Sequence, residues 1–242
     1  MPKGVGFVVA LSSEAAPLRR LRPPRSAARA PAPEGQIALC GGGPDHAREA
    51  ALRLHKTGVC ALISWGVCGA LSPLLGPGAL ILPASVQVKD GPPYRTSGAW
   101  RGRLSERLSG KVPIDDGMLI QSSQIVTTIA EKASLHRQFH AVAVDMESGA
   151  VAEVASEMDL PFLAVRAVVD AAGTSIPEVL TRMVDETGRI RIRRVIGAPP
   201  ATWCSLIRLA ADFHAARRTL SLVASEAAEI LLTSIPTPSS RA

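Results

Sequence analysis

The run Ala141–Ala172, AVAVDMESGAVAEVASEMDLPFLAVRAVVDAA, decides the fold. Its first segment, Ala141 to Val144, is short, apolar and β-branched, and Pro161 to Val169 has the same character, so both read as buried strands. Between them Ser148 to Met158 carries Val151, Val154, Ala155 and Met158 at helical spacing. Strand, helix, strand predicts a right-handed βαβ unit in a parallel sheet. Acids follow each strand, Asp145 and Glu147 after the first and Asp170 after the second. The unit brings them to one sheet edge, outside the carboxyl ends of the strands, where open α/β sheets bind ligands. Carboxylates leaving buried strands cost desolvation free energy unless they are paired, which makes them stronger site candidates than an acid on an exposed helix.

The chain of 242 residues suits one sizeable α/β domain and is short for two. A hydrophobic content of 47% predicts a filled core, and aromatics at only 3% make that core aliphatic. The net charge of +6 comes from arginines grouped in Arg19 to Arg29, Arg95 to Arg107 and Arg189 to Arg194. This reads first as a solvated basic surface and second as a surface for peripheral membrane contact. No aromatic-interleaved nucleic-acid module accompanies it, so nucleic acid is not an expected partner. Cys40, Cys60, Cys68 and Cys204 form neither a C-x-x-C pair nor a disulfide framework and predict a reducing compartment. The apolar run Val5 to Leu11 is too short to span a bilayer and leads into Ser12-Ser13-Glu14 rather than a small-residue cleavage site. The expectation is a cytoplasmic protein, membrane-associated at most.

Val5 to Leu11 is itself a buried-strand candidate that turns into a helix, where Glu14 reads as an acid favoured by the helix dipole. Gln36 to Cys40 is a second strand, opening through Gly41-Gly42-Gly43-Pro44 into a helix that ends near Lys56. Gly43 belongs either to a tight turn or to a loop whose amides face a ribose or phosphate. His46 occupies the third glycine position of a dinucleotide fingerprint, which excludes that motif. Cys60 to Trp65 is a third strand, expected to end in a turn at Gly66-Val67-Cys68-Gly69-Ala70-Leu71. His136 and His140 lie one turn apart on a helix but lack a third ligand, so no metal is expected. From Ala201 to about Leu232 helical spacing puts Trp203, Leu206, Ile207, Ala210 and Phe213 on one stripe, which packs on the core or meets a bilayer. The division expected is a core over residues 1–176 and a basic, helical extension over 177–242, its last ten residues disordered.

Val144-Asp145-Met146-Glu147 followed by small residues, with Arg166-Ala167-Val168-Val169-Asp170 downstream, resembles the purine nucleoside phosphorylase and methylthioadenosine/adenosylhomocysteine nucleosidase superfamily. The Gly66–Leu71 run with the later Gly76-Pro77-Gly78 is similar to it as well. AVDMES and the long tail most resemble its hopanoid-associated phosphorylase branch, implicated in removing adenine from adenosylhopane. The resemblance implies a single three-layer α/β domain with a mixed, mostly parallel sheet flanked by helices and a C-terminal helical extension. It implies a homo-oligomer acting on a small adenosyl substrate, lipid-linked in this branch, with no cofactor and with inorganic phosphate a co-substrate only if the bond is phosphorolysed.

By the same resemblance Glu147 would bind the ribose hydroxyls, Met146 would pack on the sugar, and Asp170 would protonate the purine. Glu14 would position water, and Gly66, Val67, Cys68, Gly69, Gly43, Ile125 and Val126 would line the substrate. Arg166 is expected to hold Asp170 or the strand end rather than to bind substrate, the other role open to it. Trp65, Val67 and Cys68 stand where Thr, Ser and Ala are commoner, which predicts a more apolar pocket. Ser13-Glu14-Ala15-Ala16-Pro17 replaces the Gly-Asp-Pro-x-Arg pattern of the phosphorylases, leaving water and phosphate both open as nucleophile. The competing class is a nucleoside- or lipid-binding module that keeps the acids for recognition alone.

Overall fold

A computed structural model describes residues 4–21, 36–89, 91–176 and 200–233. Residues 177–199 of the extension expected over 177–242, and residues 234–242 of the ten expected to be disordered, lie outside the described residues. The fold is one α/β domain in which β3 (Ala61–Ala70) is the central strand. β1 (Val5–Val9) lies parallel to its first half, Val5 facing Ala61 and Val9 facing Trp65. β2 (Ile37–Leu39) extends the sheet beyond β1. β10 (Phe162–Asp170) runs parallel to β3 along most of its length on the other side. β9 (Ala143–Asp145) takes over where β1 has left, pairing antiparallel with Gly69 and Ala70. β8 (Leu119–Gln121), β5 (Ser85–Val88) and β6 (Tyr94–Arg95) continue outward from β9, while β4 (Leu80–Ile81) and β7 (Ile114–Asp115) continue from β10. Six of the nine pairings are parallel, so the sheet is mixed and mostly parallel.

Helices cover both faces. α2 (Pro44–Lys56) and α5 (Ser148–Glu157) bury Ala47, Ala50, Ala51, Val151, Val154 and Ala155 against Leu62, Ala164 and Val168. α1 (Ser12–Ala15), α3 (Gly98–Leu108), α6 (Pro200–Glu226) and α7 (Ala228–Thr233) close the opposite face around Phe7, Trp65, Trp100, Leu163 and Leu220. α4 (Ile129–Phe139) packs Leu135 and Phe139 near Ile120 and Val144. Each fully buried Val, Leu, Ile or Phe side chain in these layers is worth about 1.5–3 kcal/mol.

Three expectations change. β9 and β10 are not a parallel βαβ pair: they flank β3 and run in opposite directions, because β9 pairs with the end of β3 after β1 has diverged. The glycine-rich run Gly66–Ala70 is strand rather than turn, held in the ladder by β10 as far as Gly69. On α6 the buried stripe is Ala216, Leu220, Val223 and Ala224, whereas Ile207 is 68% exposed. The expected positions Ile207, Ala210 and Phe213 precede this buried stripe along the helix, and the side chains of Trp203 and Leu206 lie outside the described residues. Among the described residues no helix is long and apolar enough to cross a membrane.

Candidate active site

The site follows from the gap between β1 and β9. β1 leaves β3 at Trp65 and β9 joins it at Gly69, so the Gly66–Cys68 edge faces no strand on that side. Such divergence of neighbouring strands is where α/β sheets open a crevice. Glu14 fills it: its Oε1 accepts a hydrogen bond from the Val67 amide at 3.1 Å, and its Oε2 accepts one from the Leu11 amide at 3.0 Å. The Trp65 indole sits wholly within the core, edge-on to Phe7, and donates to the Glu14 carbonyl at 3.0 Å. Trp65 therefore does not make the pocket apolar as the sequence suggested; it anchors the segment that presents Glu14.

Arg166 is fully buried on β10, opposite Gly66. Its Nη2 lies 2.7 Å from Asp145 and 3.7 Å from Glu147. It also donates to Ser64 Oγ at 2.6 Å, to Ser148 Oγ at 3.1 Å and to the Val67 carbonyl at 3.4 Å. Asp145 in turn accepts from the Ser148 amide at the start of α5. Glu147 Oε1 accepts from the Gly43 amide at 3.0 Å. Gly43 caps α2 with φ of 101°, a left-handed conformation in which glycine avoids the Cβ clash. The expected Arg166–Asp170 contact is absent among the described residues: Arg166 holds Asp145 and Glu147, because β9 brings those acids back along β3 towards Gly66.

Asp170 is held by Lys132 of α4, a residue that the sequence does not single out beside the neighbouring histidines. Only the inward position of residue 132 after the Thr128 cap of α4 signals it, and that requires the helix boundary. Asp170 lies beside Gly69, where an added Cβ would meet its Oδ1 at 3.2 Å. Cys68 is buried and Met146 half-buried. Val126 packs near Ile120 and Val144, whereas the Ile125 side chain is exposed on the loop before α4. A cleft of about 1120 Å³ between Pro17, Gly76, Val112 and Thr219 lies apart from this cluster and is lined by none of its acids.

Burial dominates the electrostatics. It pushes the Glu14 carboxyl up to about 7, although Arg166 and two amide donors pull it back. It likewise raises Glu147 against the pull of Arg166, and Asp170 against the pull of Lys132. The arrangement thus holds a carboxyl that exchanges its proton near neutral pH, a second carboxylate fixed by a backbone amide, and a third four residues further along the strand from Arg166.

Gly66 is fixed by close approach. A Cβ there would stand 2.5 Å from Arg166 Nη1 and 3.0 Å from Glu14 Oε2. Gly66→Ala is expected to cost about 1–3 kcal/mol in urea unfolding through overpacking. Wild-type stability in that variant would show that Arg166 moves freely.

The family model described as the phosphorylase superfamily matches residues 32–197, and the chain belongs to that superfamily. The 5'-methylthioadenosine/S-adenosylhomocysteine nucleosidase of Buchnera aphidicola subsp. Baizongia pistaciae is 28% identical over 140 residues, covering 50% of this chain and 56% of that protein. The nucleosidase of the same name from Mycobacterium tuberculosis is 28% identical over 121 residues, 49% of this chain and 48% of that one. The chain spans about half the length of the curated relatives it matches. The futalosine hydrolase of Helicobacter pylori strain 26695 superposes with a TM-score of 0.67 at 17% identity, covering 92% of this chain and 95% of that one. The Neisseria meningitidis 5'-methylthioadenosine/S-adenosylhomocysteine nucleosidase in complex with methylthio-immucillin-A gives 0.67 at 20% identity, covering 94% and 98%. At these identities the structural likeness shows the fold.

Proposed function

We propose that this chain cleaves the purine N-glycosidic bond of an adenosyl compound and releases adenine, with a bulky hydrophobic 5′ substituent, as in adenosylhopane, as the preferred substrate. The observation that carries the reading is the convergence of Glu14, Glu147 and Asp170 on the Gly66–Gly69 stretch of β3. Bond cleavage builds positive charge on the sugar and negative charge on the leaving base. Fixed carboxylates in a water-poor site stabilise the first, and a protonated acid neutralises the second. Glu147 is assigned to the ribose hydroxyls with Met146 against the sugar, Asp170 to protonation of the purine, and Glu14 to removal of a proton from the attacking nucleophile. The Val67 side chain in place of a hydroxylated residue favours an apolar 5′ group, and the names carried by the relatives support an adenosyl substrate.

Water is the proposed nucleophile. The two buried cations among the described residues, Arg166 and Lys132, are both held by carboxylates, which leaves neither as a phosphate-binding group. Glu14, ionised above about pH 7, suits proton removal from water. The test is adenine release from methylthioadenosine, adenosine and a 5′-adenosyl lipid analogue, with and without phosphate, followed by product mass. Phosphate-independent release of free sugar, fastest from the lipid analogue, is expected. A sugar 1-phosphate product would replace water by phosphate, and no release from any of the three would favour a binding module.

A further inference from the structure

Lys132 is the only fully buried lysine among the described residues, and the roles assigned above do not use it. Removing an ammonium from water costs several kcal/mol unless its charge and donors are matched. Here they are matched completely: Nζ donates to Asp170 Oδ2, to the Ala171 carbonyl at 2.9 Å and to the Thr174 carbonyl at 2.8 Å, which accounts for all three of its protons. The chain after β10 is folded round the amine. The Thr174 amide donates to the Ala171 carbonyl at 3.0 Å, and the Ile176 amide donates to the Thr127 carbonyl at 2.8 Å beside the start of α4. A hydrophobic side chain at residue 132 would fill the same space without this wrapping. The lysine is therefore matched to the carboxylate rather than to the core.

We infer that Lys132 is the positioning residue that governs Asp170 as an acid, receiving on Oδ2 the negative charge left when Oδ1 gives up its proton to the departing purine. The inference rests on the reading of Asp170 as proton donor. In the step, the C1′–N9 bond breaks with its electron pair moving to the base, one proton moves from Asp170 to purine N7, and water forms the C1′–O bond as Glu14 takes its proton and later releases it to solvent. The carboxylate formed is neutralised by the Lys132 ammonium, which keeps its own protons; solvent returns a proton to Asp170 before the next turnover. Burial alone would make Asp170 too weak an acid, and Lys132 opposes that effect. Among the described residues the other groups acting on the carboxyl are Asp212 on α6, which acts against ionisation, and the Cys68 thiol on β3. The bare backbone of Gly69 lies against both carboxyl oxygens, since an added Cβ would meet Oδ1 at 3.2 Å and Oδ2 at 3.3 Å.

The experiment compares two leaving groups on the same 5′-substituted ribose: adenine, which needs a proton to depart, and 4-nitrophenolate, which does not. Lys132→Met is expected to slow adenine release at least about tenfold, the weaker part of a general-acid contribution. It should change nitrophenolate release by less than about threefold, and should move the alkaline limb of kcat to higher pH because Asp170 keeps its proton longer. Lys132→Arg, which retains the cation, is expected to return the limb towards its wild-type position. An equal loss on both leaving groups with an unmoved limb would make Lys132 a structural strut and overturn the inference, as would Lys132→Arg matching Lys132→Met in both readouts.

Asp170→Asn separates this from failure of the underlying reading. A loss confined to adenine supports Asp170 as the acid, whereas an equal loss on both leaving groups removes that assignment itself. The double variant Asp170→Asn with Lys132→Met carries neither buried charge and keeps the test readable should Lys132→Met alone fail to fold. Added to Asp170→Asn, the lysine change is expected to alter the remaining rate by less than about threefold. A further large loss would show that Lys132 acts through something other than Asp170.

Discussion

Glu14→Gln is expected to lower adenine release by roughly 10²–10⁴-fold, the range for losing a general base, and to flatten the pH dependence of stability. Both effects come from one buried carboxyl. Wild-type Glu14 is raised from 4.5 to about 7, chiefly by burial. Between those values the folded protein holds a proton that the unfolded chain has released. Stability therefore falls as pH rises through that window, by on the order of 3 kcal/mol in total from this group. Glutamine carries no proton to lose. Its amide also turns an NH₂ towards either the Leu11 or the Val67 N–H, and the lost hydrogen bond costs about 1–3 kcal/mol at every pH. The variant is thus less stable than wild type near pH 4.5 and gains on it steadily up to pH 8. Wild-type kcat/KM should climb with pH to a plateau above about 7, a limb absent from the variant. Urea unfolding from pH 4.5 to 8 beside the rate profile reads both. A variant within about threefold of wild-type activity removes Glu14 from the chemistry, and parallel stability curves would contradict its raised carboxyl.

The strands and helices were legible wherever hydrophobic period decided them. Val151, Val154 and Ala155 are buried as their spacing requires, and Val5–Val9 is fully buried as its unbroken apolar run requires. The direction of β9 was not legible. A strand–helix–strand pattern reads as a parallel crossover, and nothing within residues 141–172 records that β1 leaves β3 at Trp65 and frees its last residues for an antiparallel partner. The same fact hid the partners of the acids. Spacing placed Arg166 and Asp170 on one strand and suggested that they interact, but residues four apart on a strand are separated by about 13 Å of chain. Asp145 and Glu147, brought in from the other side of β3, reach the guanidinium instead. Lys132 was unreadable for a different reason. A lysine one position after a capping glutamate reads as solvated, and only the carbonyls of Ala171 and Thr174, some forty residues later, reveal what its ammonium meets.

Arg166→Met should cause the largest loss of stability of any single change at this site, about 3–5 kcal/mol at pH 7, the cost of leaving buried charge without its partner. The guanidinium is the common counter-ion of the cluster: it contacts Asp145 and Glu147 directly and lowers the carboxyl of Glu14. It also occupies the hydroxyls of Ser64 and Ser148, which methionine cannot replace as hydrogen-bond partners. The sign of the pH dependence distinguishes this from a simple packing defect. Without Arg166 the folded state keeps protons on Glu14 and Glu147 to higher pH, since the pull that favours their ionised forms is gone. Acid then relieves the variant more than the wild type, and the deficit should shrink as pH falls from 7 to 5. A defect of packing alone would leave it constant. Arg166→Lys supplies the charge without the planar fork, so it should recover part of the neutral-pH loss while leaving a smaller deficit from the unmatched serines. Urea midpoints of the three proteins at both pH values decide the matter. A pH-independent deficit in Arg166→Met, or wild-type stability at pH 7, would mean that the carboxylates are neutral in the folded protein and do not depend on Arg166 for their charge.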